Sequence, residues 1–359
     1  MTDILWYIPN QARPGHRGED VVEHHNSLDT LTEHALELER LGWEGALLGT
    51  GWGRPDTLTV ATALTARTTT FQPLVATRPG YWHPANFASA AATLDRLSDG
   101  RVRVNVVSGQ DGGAQYGDTA TDRGARYRRT REFLHLVRRL WTEDDVTHHG
   151  EHYHVTGATL PLRPVPRDGR PHPTLYFGGA SPEAEEVAAA EADVQLFWGE
   201  PLDDVAERID RLTALSEKVG RGHPPLRFGL RVTTFVRATT EEAWRDAEAK
   251  VARLARTAGR DGWFRDADPR TSAHPVAVGQ QRLLDLAERG VVLDENLYTA
   301  PVRVGGGGAG STWLVGSPED VAGALRRYRE LGITHFVLSD TPYLSEIRRQ
   351  GEHLLPLLR

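Results

Sequence analysis

PANFASAAATLDRLSDGRVRVNVVS, residues 84–108, reads as a helix, a stop and a strand. The helix runs over Pro84–Leu97 and ends at Asp99-Gly100, where glycine breaks the helical pattern. The strand covers Arg101–Ser108, with Val102, Val104 and Val106 on one face and Arg103, Asn105 and Val107 on the other. The same alternation extends in both directions. Strands are expected at Ile4–Ile8, Trp43–Leu48, Phe71–Thr77, Thr174–Phe177, Val194–Trp198, Arg227–Val236 and His335–Ser339. Helices are expected at Leu28–Leu41, Thr57–Ala66, Arg126–Leu140 and Leu202–Val219, with a last one running through Leu354. Ser181-Pro182, Thr239…Glu242 and Ser317-Pro318 carry helix-start signals. Eight strands with intervening helices predict an α/β fold with a parallel sheet, and the count favours a (β/α)8 TIM barrel over an open sheet. Residues 1–359 read as a single domain with two departures. A β ribbon is expected within about 143–170, at Gly150–Leu160, and a weakly periodic segment at about 259–312 is expected to form a lid.

Composition narrows the chemistry. The 359 residues include no Cys, which excludes disulfides, thiolate metal sites, iron–sulfur clusters and a Cys nucleophile. The net charge is −7 and the basic residues form no long block, so nucleic acid is a poor partner. No run approaches the ~20 apolar residues of a membrane span. The start, MTDILWYIPN, has an acid at position 3 and no basic leader, so a secretory signal is not expected and a cytoplasmic location is.

A barrel carries its reactive groups at the carboxyl ends of its strands. Thr50, Thr77, Arg78, Asn105, Ser108, Trp198, Glu200, Arg231 and Asp340 stand there. In Gly178-Gly179-Ala180-Ser181-Pro182, glycines allow close backbone approach and a helix start offers N–H groups. The turn reads either as a phosphate seat or as a plain capped connection. Arg126-Tyr127-Arg128-Arg129 reads either as a solvated helix face or as a phosphate contact. Gly305, Gly307 and Gly310 have dinucleotide-fingerprint spacing but no strand–turn–helix context, so a Gly-rich loop is the better reading. His148, His149, His152 and His154 fall in the ribbon and read as an exposed hairpin rather than a metal site. Zincin and hydrolase-elbow signatures are absent. Glu200 and Asp340 are the only carboxylates placed as a glycosidase pair, and neither has a clear partner role.

Six segments, in order and at barrel-like spacing, resemble the bacterial luciferase-like flavin monooxygenases, most closely the two-component alkanesulfonate monooxygenase group. They are AATLDRLSDGRVRVNVVSG (91–109), RYRRTREF (126–133), LYFGGASPEA (175–184), FWGEP (197–201), RFGLRV (227–232) and GEHLLPLL (351–358). The similarity runs from Trp6 to the C-terminus. It implies a barrel with insertions that takes reduced FMN (FMNH2) from a separate NAD(P)H:flavin reductase. With O2 as co-substrate, the barrel would oxygenate a small polar or anionic molecule. Relatives using the deazaflavin F420 to move a hydride, and non-catalytic flavin-binding barrels, are the alternatives. A homodimer or homotetramer is implied, with no metal.

The resemblance also assigns residues. Thr50 and Gly51 match a contact to the isoalloxazine edge, with Thr77 on the next strand end, and Asn105 matches a further flavin contact. Arg126, Tyr127, Gly179, Ala180 and Ser181 match the phosphate and ribityl seat. Arg231 keeps the position of an Arg associated with substrate sulfonate or the peroxide, and Trp198 is kept too. These two and His83 form the expected catalytic set, with His83 and Tyr81, near the end of the third strand, the weaker acid–base candidates. The substrate half departs from the pattern. Thr233 replaces a His, Arg54 stands where a Cys is expected, and Thr341 replaces a Tyr. An Arg is replaced at Gly306, although Arg303 lies close by. A simple short alkanesulfonate is therefore not the expected substrate.

Overall fold

A computed structural model describes residues 2–8, 26–52, 54–108, 114–118, 122–167, 169–257, 277–304 and 311–359. The opening stretch folds as its sequence implies. Helix α3 (Pro84–Leu97) ends at Ser98, and Asp99 and Gly100 adopt left-handed φ values of 55° and 74°. The Gly100 N–H donates to the Asp95 carbonyl at 2.8 Å. The buried Asp95 carboxylate accepts from the N–H groups of Val102 (3.2 Å) and Val165 (2.8 Å). One acid thus fixes the helix-to-strand angle and also holds the chain returning from the ribbon.

Eight parallel strands close into a barrel: β1 (Asp3–Ile8), β2 (Gly45–Leu48), β3 (Gln72–Thr77), β4 (Arg103–Val106), β5 (Thr174–Gly178), β6 (Val194–Trp198), β7 (Arg227–Val236) and β8 (Ile333–Ser339). Each pairs with the next, and β8 returns to β1. The other helices are α1 (Leu28–Leu41), α2 (Thr57–Thr65), α4 (Arg123–Thr142), α5 (Pro182–Glu191), α6 (Leu202–Lys218), α7 (Thr240–Thr257), α8 (Val278–Arg289), α9 (Ala300–Val304), α10 (Pro318–Glu330) and α11 (Tyr343–His353). Strand alternation builds two cores. Ile4, Trp6, Ile8, Val104 and Val106 pack outward against helices, while Leu5, Tyr7, Leu74, Ala76, Leu196 and Val337 fill the lumen. No helix among the described residues is long and apolar enough to cross a membrane.

The amino-terminal end of the lumen is closed by a polar floor. Arg103 donates to Asp3 at 2.6 Å, to the Tyr176 hydroxyl at 2.8 Å and to Gln72 at 3.0 Å. His335 Nδ1 lies 2.9 Å from the Tyr176 hydroxyl and 3.1 Å from Asp3. Burial pushes the Asp3 carboxyl up, but the His335 hydrogen bond and the Arg103 charge outweigh it and hold it well below the usual carboxylate range.

The two departures from the repeat have different outcomes. The ribbon pairs Val146–His149 with His154–Ala158. Glu132 of α4 fastens it by accepting from the N–H groups of His152 and Tyr153 and by meeting His148 Nε2 at 2.9 Å. Within 277–312 the structure departs from the loop-like reading. Besides α8 and α9 it contains short strands at Val292–Leu293 and Leu297–Tyr298, joined to a strand at Trp313–Gly316 that runs parallel to the outer end of β7. Two-residue strands show no periodicity, which is why the sequence conceals them. Residues 259–276 and the glycine run 305–310, both part of the expected lid, lie outside the described residues. Helix α4 begins at Arg123 rather than Arg126, because Asp122 caps it and accepts from Ala125 N–H at 2.6 Å.

Candidate active site

The β6–β7 register places Trp198 beside Arg231 on the lumen face. The Arg231 guanidinium stands 5.8 Å from the Trp198 ring and 5.1 Å from the Tyr7 ring, inside cation–π range. Arg54 arrives at the same tyrosine from the β2 loop and donates to its hydroxyl at 3.0 Å. It crosses Gly49 to get there; a Cβ on Gly49 would lie 2.8 Å from its guanidinium. Asp56 does not take Arg54, since it caps α2 by accepting from Thr59 at 2.9 Å. Two cations therefore converge on one aromatic ring at the mouth of the barrel. Asn105, opposite Ala76 and Tyr176 in register, turns into this lumen with its Oδ1 buried and unpartnered among the described residues.

Beside this lies the β5–α5 turn. Ser181 caps α5, accepting from Ala184 N–H at 3.2 Å. Any side chain at Gly179 would meet the Ala184 Cβ at 2.5 Å, and the same point lies 3.8 Å from the Tyr127 hydroxyl. The Gly179 carbonyl is held by Gln195 and Arg208, both at 2.9 Å. The first turns of α4 and α5 are thus brought together, as the anion-seat reading requires. Arg123, which the sequence reading missed, donates to Glu183 at 2.8 Å across the gap. The Glu183 carboxyl is held down to about 2 by Arg123, by its own backbone N–H and by Ser181. A resident carboxylate therefore occupies this helix start, and its exposure leaves it room to swing away.

The remaining sequence candidates fall in different places. Thr50 and Gly51 sit half-buried at the end of β2, and the Gly51 carbonyl accepts from Tyr116 at 3.3 Å. Thr77 alternates to the face opposite Ala76, so its side chain points away from the lumen. His83 caps α3, accepting from Ala85 N–H at 3.4 Å, and its ring packs edge-on against Tyr153 of the ribbon at 5.5 Å. It stands at the start of α3, in the connection that follows β3. Thr233 is buried within 3.0 Å of Ser311 and 3.4 Å of Ser339. Thr341 turns toward α7, where Lys250 donates to both its hydroxyl and its carbonyl at 2.6 Å. Arg303 donates to the Ala287 carbonyl at the end of α8, and Gly306 lies outside the described residues. Glu200 and Asp340 are each neutralised by cations. Glu200 binds Arg208 (2.9 Å) and Arg282 (2.6 Å), and Asp340 binds Lys250 (3.0 Å). The Arg282 contact draws α8 over the strand ends, where Leu283, Leu286 and Val302 pack against Trp198.

Residues 2–335 match a profile of the luciferase-like monooxygenases, and the chain belongs to that family. Among solved structures it is similar to a riboflavin lyase with modified FMN and its substrate riboflavin, at 20% identity and a TM-score of 0.79, covering 100% of this chain and 91% of that one. It is similar to the EDTA monooxygenase of Chelativorans sp. BNC1 at 19% identity and a TM-score of 0.75, covering 99% and 93%. It is also similar to an F420-dependent secondary alcohol dehydrogenase in complex with an F420-acetone adduct, at 18% identity and a TM-score of 0.70, covering 100% and 99%. At these identities the likeness is one of fold.

Proposed function

We propose that the chain is a reduced-FMN-dependent monooxygenase of the two-component type, acting on a small anionic organic molecule other than a simple alkanesulfonate. The observation that carries this reading is the unpartnered Asn105 carbonyl, buried in a lumen that opens between the Gly179 turn and the Arg231 cation. A flavin has the groups this arrangement lacks: a ring N–H for Asn105 and a phosphate for the helix start at Ser181, with Arg126 and Tyr127 beside it. When bound, reduced FMN supplies two electrons, so that one atom of O2 enters the substrate and the other leaves as water. Arg231 holds negative charge that develops next to Trp198, Arg54 orients the anionic group, and the apolar lumen excludes water. Helix α8, seated beside Trp198, covers part of the mouth. A cytoplasmic location, a separate reductase and a homodimeric or homotetrameric state belong to the same reading.

Anaerobic titration with reduced FMN and with reduced F420, read by Trp fluorescence, tests the cofactor. FMN binding, and incorporation of one atom of 18O2 into the substrate on adding FMN, a flavin reductase and NADH, is the expected result. F420 binding with hydride transfer and no 18O in the product would overturn the reading.

A further inference from the structure

Ser311 and Ser339 have no part in the flavin reading, yet they meet on the wall that carries Arg231. The β7–β8 register pairs Arg231 with Val337 and, one layer nearer the mouth, Thr233 with Ser339. Val337 fills the lumen, so alternation turns Ser339 into it as well, and Thr233 shares the face of Arg231. Ser311 Oγ lies 3.0 Å from Thr233 Oγ1, which lies 3.4 Å from Ser339 Oγ. The neighbour of Ser311 fixes its place. Thr312 donates to the Gly199 carbonyl at 2.6 Å, just past the end of β6, and a Cβ on Gly199 would run into the Thr312 hydroxyl. Residues 311 and 312 are thus a strap pinned to β6 on one side and to β7 and β8 on the other. Each hydroxyl of the trio has one proton and can accept twice. Two contacts use two protons, so one proton is left to give. Donors running head to tail polarise one another. In the order Ser311, Thr233, Ser339, the last proton belongs to Ser339, on the lumen wall. The two contacts are the only side-chain hydrogen bonds of the trio among the described residues. All three residues are buried, and a buried donor with no acceptor costs free energy. The wall therefore calls for one acceptor oxygen. A carboxylate oxygen is a more basic acceptor than a sulfonate oxygen, and a sulfonate brings three oxygens to a wall with one proton to give.

We propose that Ser339, backed by Thr233 and Ser311, is a donor seat for one carboxylate oxygen of the substrate, and that it makes the site prefer carboxylates to sulfonates. The proposal rests on the monooxygenase reading for the fate of the bound molecule, but the preference can be measured without it. The test is NMR titration of the full chain with butanoate and butane-1-sulfonate, with and without reduced FMN under anaerobic conditions. Butanoate is expected to bind about tenfold tighter, the scale of one hydrogen bond to a charged group. Ser339→Ala should erase the difference, and Ser339→Thr, which keeps a hydroxyl there, should retain it. Thr312→Val loosens the strap without touching the trio, and should retain it too. Reduced-FMN affinity should stay at the wild-type value in all three variants. Equal affinity for the two probes overturns the seat, as does tighter binding of the sulfonate or a preference that survives Ser339→Ala. Loss of the preference in Thr312→Val would show that the strap's position sets it, and weaker FMN binding in Ser339→Ala would assign the hydroxyl to the cofactor. Either outcome also overturns the proposal. A carboxylate preference that depends on Ser339 in a protein that binds no FMN would instead overturn the flavin reading and leave the seat standing.

Discussion

Trp198 and Arg231 are register partners across β6 and β7, and the guanidinium lies 5.8 Å from the indole ring. The strand pairing itself sets their separation, so a substitution at either residue tests chemistry more than folding. Arg231→Gln is expected to lower kcat about 10²–10³-fold, the usual loss for a group that stabilises developing negative charge. Reduced-FMN affinity should not change, and Arg231→Lys should recover part of the rate. Steady-state kinetics that show only a raised KM would limit Arg231 to uniform substrate binding.

The anion seat gives two variants with opposite signs. Arg126→Ala should weaken reduced-FMN binding by about 1.5–3 kcal/mol, the range for hydrogen bonds to a charged group. Glu183→Gln removes the carboxylate now resting on the α5 start, and should strengthen binding by about 0.3–1 kcal/mol, the scale of charge effects at a helix terminus. Fluorescence titration at low salt distinguishes them. Weaker binding in Glu183→Gln would show that the phosphate does not approach this helix.

Glu200 is the hub that joins α6, α8 and the Gly179 turn. Its Arg208 partner is buried and also holds the Gly179 carbonyl. Glu200→Gln leaves Arg208 with Glu185, at 3.3 Å, as its remaining carboxylate, and should cost about 1.5–3 kcal/mol, the range for a hydrogen bond to a charged group. Arg282→Gln removes a more exposed partner and should change global stability by less than about 1 kcal/mol. Its expected signature is faster proteolysis near α8. If denaturant melts find the two variants equal, the hub is not Arg208.

Two buried groups should give pH slopes of opposite sign. Burial pushes the His34 imidazole down to about 4 from an ordinary 6.5. Between those values the unfolded chain takes up a proton that the native state refuses, so stability falls as pH drops from about 6.5 toward 4. Burial, reinforced by the Asp340 charge, pushes the Glu346 carboxyl up to about 7 from 4.5. In that window the native state keeps a proton that the unfolded chain releases, so stability falls as pH rises. Relative to wild type, His34→Leu should gain Tm most at the acid end and Glu346→Gln at the neutral end. Differences that do not vary with pH would show that neither group is linked to folding.

The barrel strands are legible in the sequence because each is a short apolar run bounded by turns. β6 and β7 match the reading residue for residue. The same alternation that puts Arg231 in the lumen also puts Tyr7 there, and that signal was available. Other parts of the site leave no local trace. Arg54 meets Tyr7 across 47 positions, and Lys250 meets Thr341 across 91. No spacing or composition records such pairings, so Arg54 and Thr341 look alike as sequence substitutions. In the fold they part, one facing the lumen and the other facing α7.

The ion-paired floor of Arg103, Asp3, Tyr176 and His335 makes the barrel a cup rather than a pipe. Whatever fills the lumen enters and leaves by the same doorway, the one ringed by Arg54, Trp198 and Arg231. Traffic through a single door is ordered by depth. On the proposed reading, a flavin ring that meets Asn105 would have to enter before the substrate, an order set by residues at the far end of the barrel.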